Sequence, residues 1–269
     1  MAEDEIEALR TYACRSAEMG NRNVSNLSNR YAIHDYQLMA NELQRTAGGG
    51  RLLDWGCGYG HMSYLLRRRG FDVAGLTVRD ENNLSESWNL LIREEGLQVT
   101  VASDDVALPF EDESFDIVLS CGVLEHVPDE AGSLREIARV LRSGGRFFIY
   151  QLPNRLSAVE WLSERLARPA HDRRYRRREV NGLLSEAGFD VRVARHGSMI
   201  PKNLDRLPFL RPLFDGAYRP LAAIDSALLR IPGLNLLSGT WEVIAQRNGQ
   251  HVARLGEGLA LERDLVAAG

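Results

Sequence analysis

Cysteine is scarce in this sequence, and lysine is almost absent. The three cysteines are Cys14, Cys57 and Cys121. Their odd number and wide spacing exclude a disulfide framework and a cysteine-rich zinc site. Lys202 is the only lysine, so arginine supplies nearly all of the positive charge. We attribute this bias to the base composition of the genome rather than to a function.

Long apolar runs and an excess of positive charge are also missing. No stretch approaches the ~18 apolar residues that span a bilayer. The 33 basic and 37 acidic residues give a net charge of −4, which argues against a dedicated nucleic-acid binder because phosphate contacts need a basic face. The acidic segment 1–5 lacks the basic and apolar regions of a signal peptide. We therefore expect a cytoplasmic protein without a nucleic-acid partner.

The composition is otherwise that of an ordinary folded protein. The chain has 269 residues, of which 44% are hydrophobic and 26% are charged. This length accommodates one large α/β domain with additions. We expect a single domain over residues 1–269.

The most informative stretch is 51–60, with the sequence RLLDWGCGYG. A short apolar run ends on Asp54, and a helical pattern begins at His61, which together predict a strand, a tight turn and a helix. The turn contains the alternating glycines Gly56, Gly58 and Gly60. Glycine permits a positive φ and lets the backbone approach a ligand at the carboxyl edge of a parallel sheet.

The spacing of these glycines narrows the choice of ligand. A dinucleotide fingerprint has the form G-x-G-x-x-G, whereas here the third glycine arrives one residue early and His61 takes the sixth place. Asp54 would repel a pyrophosphate but can accept a hydrogen bond from an ammonium group. S-adenosylmethionine carries an ammonium group, a sulfonium and no phosphate, so it fits this acid better.

Three blocks together resemble the class I S-adenosylmethionine-dependent methyltransferases. Residues 52–60 resemble the family's motif I, and residues 104–110 (DDVALPF) resemble its Asp-Ala-x-x-Leu-Pro-Phe block. Residues 115–145 resemble its "FDxV…vLeHv…RvLkPGG" run, with Ser143 in place of the usual proline. The resemblance covers about residues 50–152 and implies a Rossmann-like α/β fold. Its sheet would have seven strands, the last one antiparallel.

The resemblance also implies a set of cofactor contacts. Asp104 would accept a hydrogen bond from the adenine amino group, and the amide of Asp105 would donate to a ring nitrogen. An adjacent acidic pair is also typical of a helix N-cap or a solvated turn. The candidate cofactor-binding residues are Asp54, Gly56, Cys57, Gly58, Gly60, Thr77, Asp104, Asp105 and Cys121.

Thr77 is where the sequence departs from the family. An acidic residue normally ends the second strand there and holds the two ribose hydroxyls. A single hydroxyl cannot chelate a diol as a carboxylate does. Asp80 or Glu81, one turn further on, are the candidates to replace it.

The candidate catalytic residues are Glu125 and His126, just past the fourth strand. Histidine titrates near neutral pH, so a neutral His126 could take a hydroxyl proton while Glu125 orients the ring or the substrate. Quinone-biosynthesis O-methyltransferases carry a similar pair, together with another glutamate three residues earlier that completes a metal site. Here that position is Gly122, so we expect no metal. In the alternative interpretation His126 only braces the loop.

The remaining elements follow from apolar periodicity and turn residues. After the first strand, further strands are predicted at 71–77, 97–102, 115–120, 146–151, 188–194 and 241–246. Helices are predicted at 3–20, from a Ser28 cap through Leu43, and at 59–69, 82–95, 134–141 and 176–187. Residues 142–145 are expected to form a turn.

The core at 50–152 is flanked by further segments. The helical cap at 1–47 either covers the substrate side of the cofactor or packs on the sheet edge. The insert at 199–237 is rich in proline and leucine, and it forms either a helical lid or an apolar platform for lipid or a partner. The arginine-rich stretch 165–178 contacts an anionic group or membrane surface, or is a solvated face. A charged tail occupies 247–269.

These observations predict a methyltransferase that uses S-adenosylmethionine and acts on a small-molecule or lipid-like acceptor, with O-methylation favoured. Peripheral membrane contact is compatible with this prediction. Nucleic-acid methyltransferases carry Asn/Asp-Pro-Pro-Tyr after the fourth strand or a proline before a nucleophilic cysteine, whereas Cys121 follows Ser120. The alternatives are a non-catalytic S-adenosylmethionine binder and a lipid- or partner-binding module built on the insert.

Overall fold

The fold is described by a computed structural model that covers residues 2–20, 24, 27, 29–78, 89–104, 106–165, 171, 173–202 and 209–249. The strands are β1 (Arg51–Trp55), β2 (Asp72–Val78), β3 (Val99–Ala102), β4 (Phe115–Cys121), β5 (Leu141–Pro153), β6 (Phe189–His196) and β7 (Thr240–Arg247). The helices are α1 (Ala2–Glu18), α2 (Arg30–Ala47), α3 (His61–Arg67), α4 (Leu90–Glu95), α5 (Glu130–Val140), α6 (Ala158–Arg165), α7 (Arg177–Glu186), α8 (Arg211–Gly216) and α9 (Tyr218–Leu228).

The strands form one seven-stranded sheet in the order β3-β2-β1-β4-β5-β7-β6. The pairs from β3 to β5 are parallel, and β7 runs antiparallel to both β5 and β6. This confirms the predicted α/β Rossmann-like sheet with an antiparallel last strand. The strand order reverses between β1 and β4, where open α/β sheets bind ligands at the carboxyl ends of their strands.

Helices cover both faces of the sheet, so neighbouring residues of one strand point into different cores. Leu52 packs with apolar residues of α1, α2 and α3, while Leu53 packs with those of α5 and α7. Both leucines are fully buried. Burial on both faces explains why the parallel strands are near-continuous apolar runs.

The start of α2 differs from the prediction. The N-cap is Asn29, whose Oδ1 accepts a 2.8 Å hydrogen bond from the amide of Ala32. Ser28, the predicted cap, lies outside the described residues. Asparagine and serine are about equally good caps, so local preference does not decide between neighbours.

The beginning of β5 also differs. The predicted turn at 142–145 belongs to this strand, which starts at Leu141 and pairs with β4 from there. A shift of register between Phe115 and Ile117 accommodates the extra residues. Gly144, with its positive φ of 74°, lies in this irregular part of the ladder, and pairing resumes at Arg146. The helix predicted at 82–95 begins at Leu90, where Asn89 is its N-cap and accepts a 3.1 Å hydrogen bond from the amide of Ile92. Residues 79–88 lie outside the described residues.

The described part of the insert folds as α8 and α9 and docks on α2. Phe214 meets Tyr31 edge-on with ring centroids 5.3 Å apart, and Tyr218 meets His34 at 5.2 Å. The insert also has exposed apolar side chains. Its large exposed side chains are Phe209, Leu213, Ile224, Ile231, Leu236 and Leu237. None of the helices in the described ranges is long and apolar enough to cross a membrane.

Candidate functional site

The glycine turn is anchored to the end of β2. The amides of Gly56 and Cys57 both donate to the carbonyl of Leu76, each at 2.9 Å. All three glycines of the turn have positive φ, as predicted: Gly56, Gly58 and Gly60 have φ values of 74°, 50° and 84°. The turn therefore sits at the carboxyl edge of the sheet, where β1 ends and α3 begins.

The three glycines are needed for different reasons. A Cβ on Gly56 would come within 2.5 Å of Val123, and one on Gly60 would come within 3.0 Å of Ile92 and Leu97. These two glycines permit close packing of the protein on itself. A Cβ on Gly58 would have the carbonyl of Gly56 as its nearest atom, at 3.9 Å. Of the three, Gly58 alone faces open space that a ligand can approach.

Asp54 is a buried carboxylate at the end of β1. Its residue is 2% exposed, and its Oδ2 accepts a 2.6 Å hydrogen bond from the hydroxyl of Ser63 on α3. Burial raises the pKa of Asp54 to about 6, and the bond from Ser63 partly opposes that rise. A buried carboxylate of this kind is stabilised by a cation. The site therefore suits the ammonium group of S-adenosylmethionine.

Two of the predicted cofactor contacts, Cys57 and Thr77, have side chains that are buried within the protein. Cys57 is buried, and its Sγ would lie 3.0 Å from a Cβ on Gly75, so the thiol packs on β2. Only the backbone of Cys57 is placed to meet a ligand. Thr77 is 6% exposed at the end of β2, where its hydroxyl donates to the carbonyl of Val78 at 3.3 Å. Asp80 and Glu81, its expected replacements, lie outside the described residues.

Asp104 follows β3 and is exposed. Its Oδ1 accepts hydrogen bonds from the amides of Val106 and Ala107, at 2.7 and 2.8 Å, and these bonds lower the pKa of the carboxyl. This is the turn-capping geometry that an adjacent acidic pair predicts. Contact between Asp104 and an adenine amino group stays a prediction. Asp105 lies outside the described residues.

Cys121, at the end of β4, is where several of the predicted residues meet. Burial raises the pKa of its thiol far above the ordinary value, so the thiol is neutral. The charges of Asp54, Glu125 and Lys202 all reach it. Because the ends of β1 and β4 are paired, Cys121 lies near the end of β1, which carries Asp54.

The candidate catalytic pair combines a buried acid with an exposed histidine. The side chain of Glu125 is 2% exposed and that of His126 is 64% exposed, with 3.8 Å between Oε1 and Nε2. Burial raises the pKa of Glu125 to about 7. Its Oε2 is buried and has no hydrogen-bond partner within the described part of the chain. A buried carboxyl with a pKa near 7 therefore lies beside an exposed imidazole.

A hydrogen bond from the buried side chain of Tyr175 stabilises the turn that carries Glu125. The hydroxyl of Tyr175 donates to the carbonyl of Leu124 at 3.3 Å, and Tyr175 is itself 3% exposed.

Within the ranges that the structure describes, no group of three or more His, Cys, Asp or Glu side chains is arranged to hold a metal ion.

Sequence reasoning did not single out Lys202, which the structure places against α2. Its Nζ lies 2.5 Å from Oδ2 of Asp35 and 4.7 Å from the centre of the Tyr36 ring. Asn29 donates from Nδ2 to the carbonyl of Lys202 at 3.0 Å. The sequence shows that Lys202 is the only lysine. No local sequence pattern, however, predicts that it contacts α2.

Comparisons with known proteins agree with this geometry. The sequence profile of a family described as "Methyltransferase domain" matches residues 53–149. Methyltransferase GfsG of Streptomyces halstedii is 38% identical over 107 residues, which are 38% of this chain and 38% of that protein. The chain therefore spans less than two thirds of the length of that relative.

Other relatives match over more of their length. The ubiquinone biosynthesis O-methyltransferase of Aeromonas salmonicida is 30% identical over 184 residues, which are 61% of this chain and 77% of that enzyme. Among solved structures, a SAM-dependent methyltransferase of Thermotoga maritima superposes with a TM-score of 0.56. The superposition covers 88% of this chain and 97% of the Thermotoga chain, and the sequence identity is 18%. This similarity shows a shared fold.

Proposed function

We infer the function from one premise: the chain belongs to the class I S-adenosylmethionine-dependent methyltransferases. We propose that it binds S-adenosylmethionine and transfers the methyl group to a small-molecule acceptor. The observation that supports this most directly is the pairing of buried Asp54 with the open side of Gly58 at the switch point of the sheet. A carboxylate suits the ammonium group, and a bare backbone permits the close approach of the cofactor.

The cofactor would be held by the end of β1 and the turn that follows it. Asp54 would accept from the ammonium group, the backbone of 56–60 would lie against the ligand, and Asp104 would meet the adenine. When bound, S-adenosylmethionine supplies an electrophilic methyl group on a sulfonium. Because this charge disperses during transfer, the chain contributes mainly alignment and the exclusion of water.

We propose O-methylation, with Glu125 and His126 handling the hydroxyl proton. In this proposal His126 takes the proton and Glu125, fixed by burial, orients the ring. The exposure of His126 gives the proton a route to water. The relationship to an O-methyltransferase of ubiquinone biosynthesis supports a hydroxyl acceptor.

An apolar or lipid-linked acceptor is the second part of the proposal. The exposed apolar residues of the insert, such as Phe209 and Ile224, are 75% and 52% exposed. Trp161 on α6 is 53% exposed, and the guanidinium of Arg165 stacks over its ring at 4.0 Å. Apolar side chains next to arginine suit a surface that meets lipid headgroups.

Two measurements test the proposal. Calorimetry should show micromolar-range binding of S-adenosylmethionine, and affinity for NAD without affinity for S-adenosylmethionine would refute it. Incubation with a panel of hydroxyl acceptors should then release S-adenosylhomocysteine. Binding without any release across that panel would favour a non-catalytic S-adenosylmethionine binder instead.

A further inference from the structure

We propose that His61, Tyr36 and the Lys202–Asp35 pair form the acceptor subsite, and that it receives an uncharged hydroxyl group such as that of a phenol. This inference rests on the methyl-transfer function above and names the chemical class of its acceptor. It assigns these residues to binding and positioning, and leaves proton removal to Glu125 and His126.

His61 is the strongest indication of a ligand. Both ring nitrogens are buried, and neither has a hydrogen-bond partner among the described residues. The ring meets the edge of Tyr36 with centroids 4.3 Å apart. A buried polar atom without a partner costs free energy, and in a native protein it calls for a specific explanation such as a bound ligand. His61 begins α3 directly after Gly60, so it lies beside the cofactor turn.

The state of the His61 ring defines what it can bind. Burial and the positive charge of Lys202 lower the pKa of His61 to about 4. The imidazole is therefore neutral at physiological pH, with one nitrogen that donates and one that accepts. A hydroxyl group also both donates and accepts, so it complements this ring.

Lys202 is positioned by three residues at the start of α2. Asn29 donates a hydrogen bond to the backbone carbonyl of Lys202. The ammonium group of Lys202 forms an ion pair with Asp35 and lies over the ring of Tyr36. Because Asp35 neutralises the ammonium, the subsite carries no net charge. An acceptor carboxylate would have to displace Asp35, and an acceptor ammonium would be repelled by Lys202. Either charged group would lose its hydration on entering the subsite and would find no unpaired opposite charge in the Lys202–Asp35 pair. The free energy of this desolvation disfavours binding of both ions.

The position of the subsite matches its role. The charge of Lys202 reaches both His61 and Cys121, and Cys121 is also within reach of Asp54 and Glu125. A hydroxyl bound to His61 would therefore lie at the first turn of α3, which the Ser63–Asp54 hydrogen bond ties to the carboxylate proposed for the cofactor.

The test compares three probes that share one ring: phenol, benzoate and benzylammonium. The full chain is saturated with S-adenosylhomocysteine, and the Cε1 resonances of its six histidines are followed by NMR. Phenol should shift the His61 signal and bind more tightly than the two ions. Equal or tighter binding of benzoate or benzylammonium, or no phenol binding at all, overturns the inference. Failure to bind S-adenosylhomocysteine would instead overturn the proposed function.

His61→Phe keeps an aromatic ring against Tyr36 and removes both nitrogens. This variant should bind S-adenosylhomocysteine as before and lose about tenfold in phenol affinity, the value of one or two hydrogen bonds. The matched control is His34→Phe, since His34 is also half-buried and edge-on to a tyrosine but lies against α9. Phenol affinity that survives in His61→Phe contradicts the inference.

Changing the charge pair gives a readout that a purely structural role would not produce. Asp35→Asn leaves Lys202 without its counter-ion, so probe preference should change from phenol to benzoate. Lys202→Met leaves Asp35 alone, so preference should change to benzylammonium. Unchanged preference in both folded variants, each still binding S-adenosylhomocysteine, would show that the pair lies outside the acceptor subsite.

Discussion

The hydroxyl of Ser63 donates a 2.6 Å hydrogen bond to the buried carboxylate of Asp54, and so ties the first turn of α3 to the end of β1. The bond stabilises the ionised carboxylate, whereas burial opposes ionisation and dominates. Asp54 therefore titrates near pH 6 in the free protein, close enough to neutrality to make ligand binding depend on pH.

The first prediction concerns cofactor affinity as a function of pH. Burial raises the pKa of Asp54 to about 6 in the free protein, and a bound ammonium group would lower it. The complex then binds fewer protons than the free protein below pH 6. Affinity for S-adenosylmethionine should thus be constant just above pH 6 and fall about tenfold per pH unit below it. Calorimetry from pH 5 to 7.5 measures this.

Ser63→Ala is the control for this prediction. Removing a hydrogen bond that favours the ionised form should raise the pKa of Asp54 further, so the fall in affinity should begin at a higher pH. Asp54→Asn should bind weakly and without this pH dependence. An affinity that is flat in the wild type from pH 5 to 7.5 would contradict the role given to Asp54.

The second prediction separates ligand contact from backbone strain in the glycine turn. Gly58 and Gly70 both have positive φ and open space around a built Cβ. Alanine at either position should cost about 1 kcal/mol of stability because of the left-handed backbone. Only Gly58→Ala should also weaken S-adenosylmethionine binding, and Gly58→Val should abolish it. Equal affinities of the two alanine variants would place the cofactor elsewhere.

The third prediction concerns Glu125 and His126. Burial raises the pKa of Glu125 to about 7, so a reaction that needs its ionised form should rise with pH through about 7 and then level off. Glu125→Gln should remove that inflection. His126→Ala and His126→Gln should each lose on the order of 10²–10⁴-fold in turnover while keeping cofactor affinity. Near-wild-type turnover in both histidine variants would make His126 a loop brace.

The fourth prediction distinguishes the two sides of the insert. Phe214 is 2% exposed against Tyr31, so Phe214→Ala should destabilise the fold by about 3–5 kcal/mol, measured by denaturant unfolding. Ile224 is 52% exposed, so Ile224→Asp should leave stability nearly unchanged. It should, however, weaken binding to vesicles that contain anionic lipid. Vesicle binding equal to that of the wild type would leave the apolar face without a role at membranes.

Much of the fold could be predicted from local patterns. Apolar runs located β2 and β4 to within one or two residues, because buried parallel strands need continuous apolar sequence. The antiparallel edge strand β6 was also located to within two residues. The antiparallel β7 was located correctly even though the insert separates it from β6. The errors lie at the boundaries of elements. Ser28 was predicted as the cap of α2, where the structure has Asn29, and a turn was predicted at 142–145, where β5 has already begun. Neighbouring residues at such boundaries have similar local preferences.

The sequence by itself determined the strand, glycine turn and helix around Asp54, because these follow from the conformations that the residues favour locally. The tertiary structure decided which glycine faces open space, since Val123 and Ile92 close the other two positions. It also decided that Lys202 meets Asp35 and that the ring nitrogens of His61 have no hydrogen-bond partner in the described part of the chain. Such contacts join segments far apart in the chain, and the burial of two separate cores sets their positions.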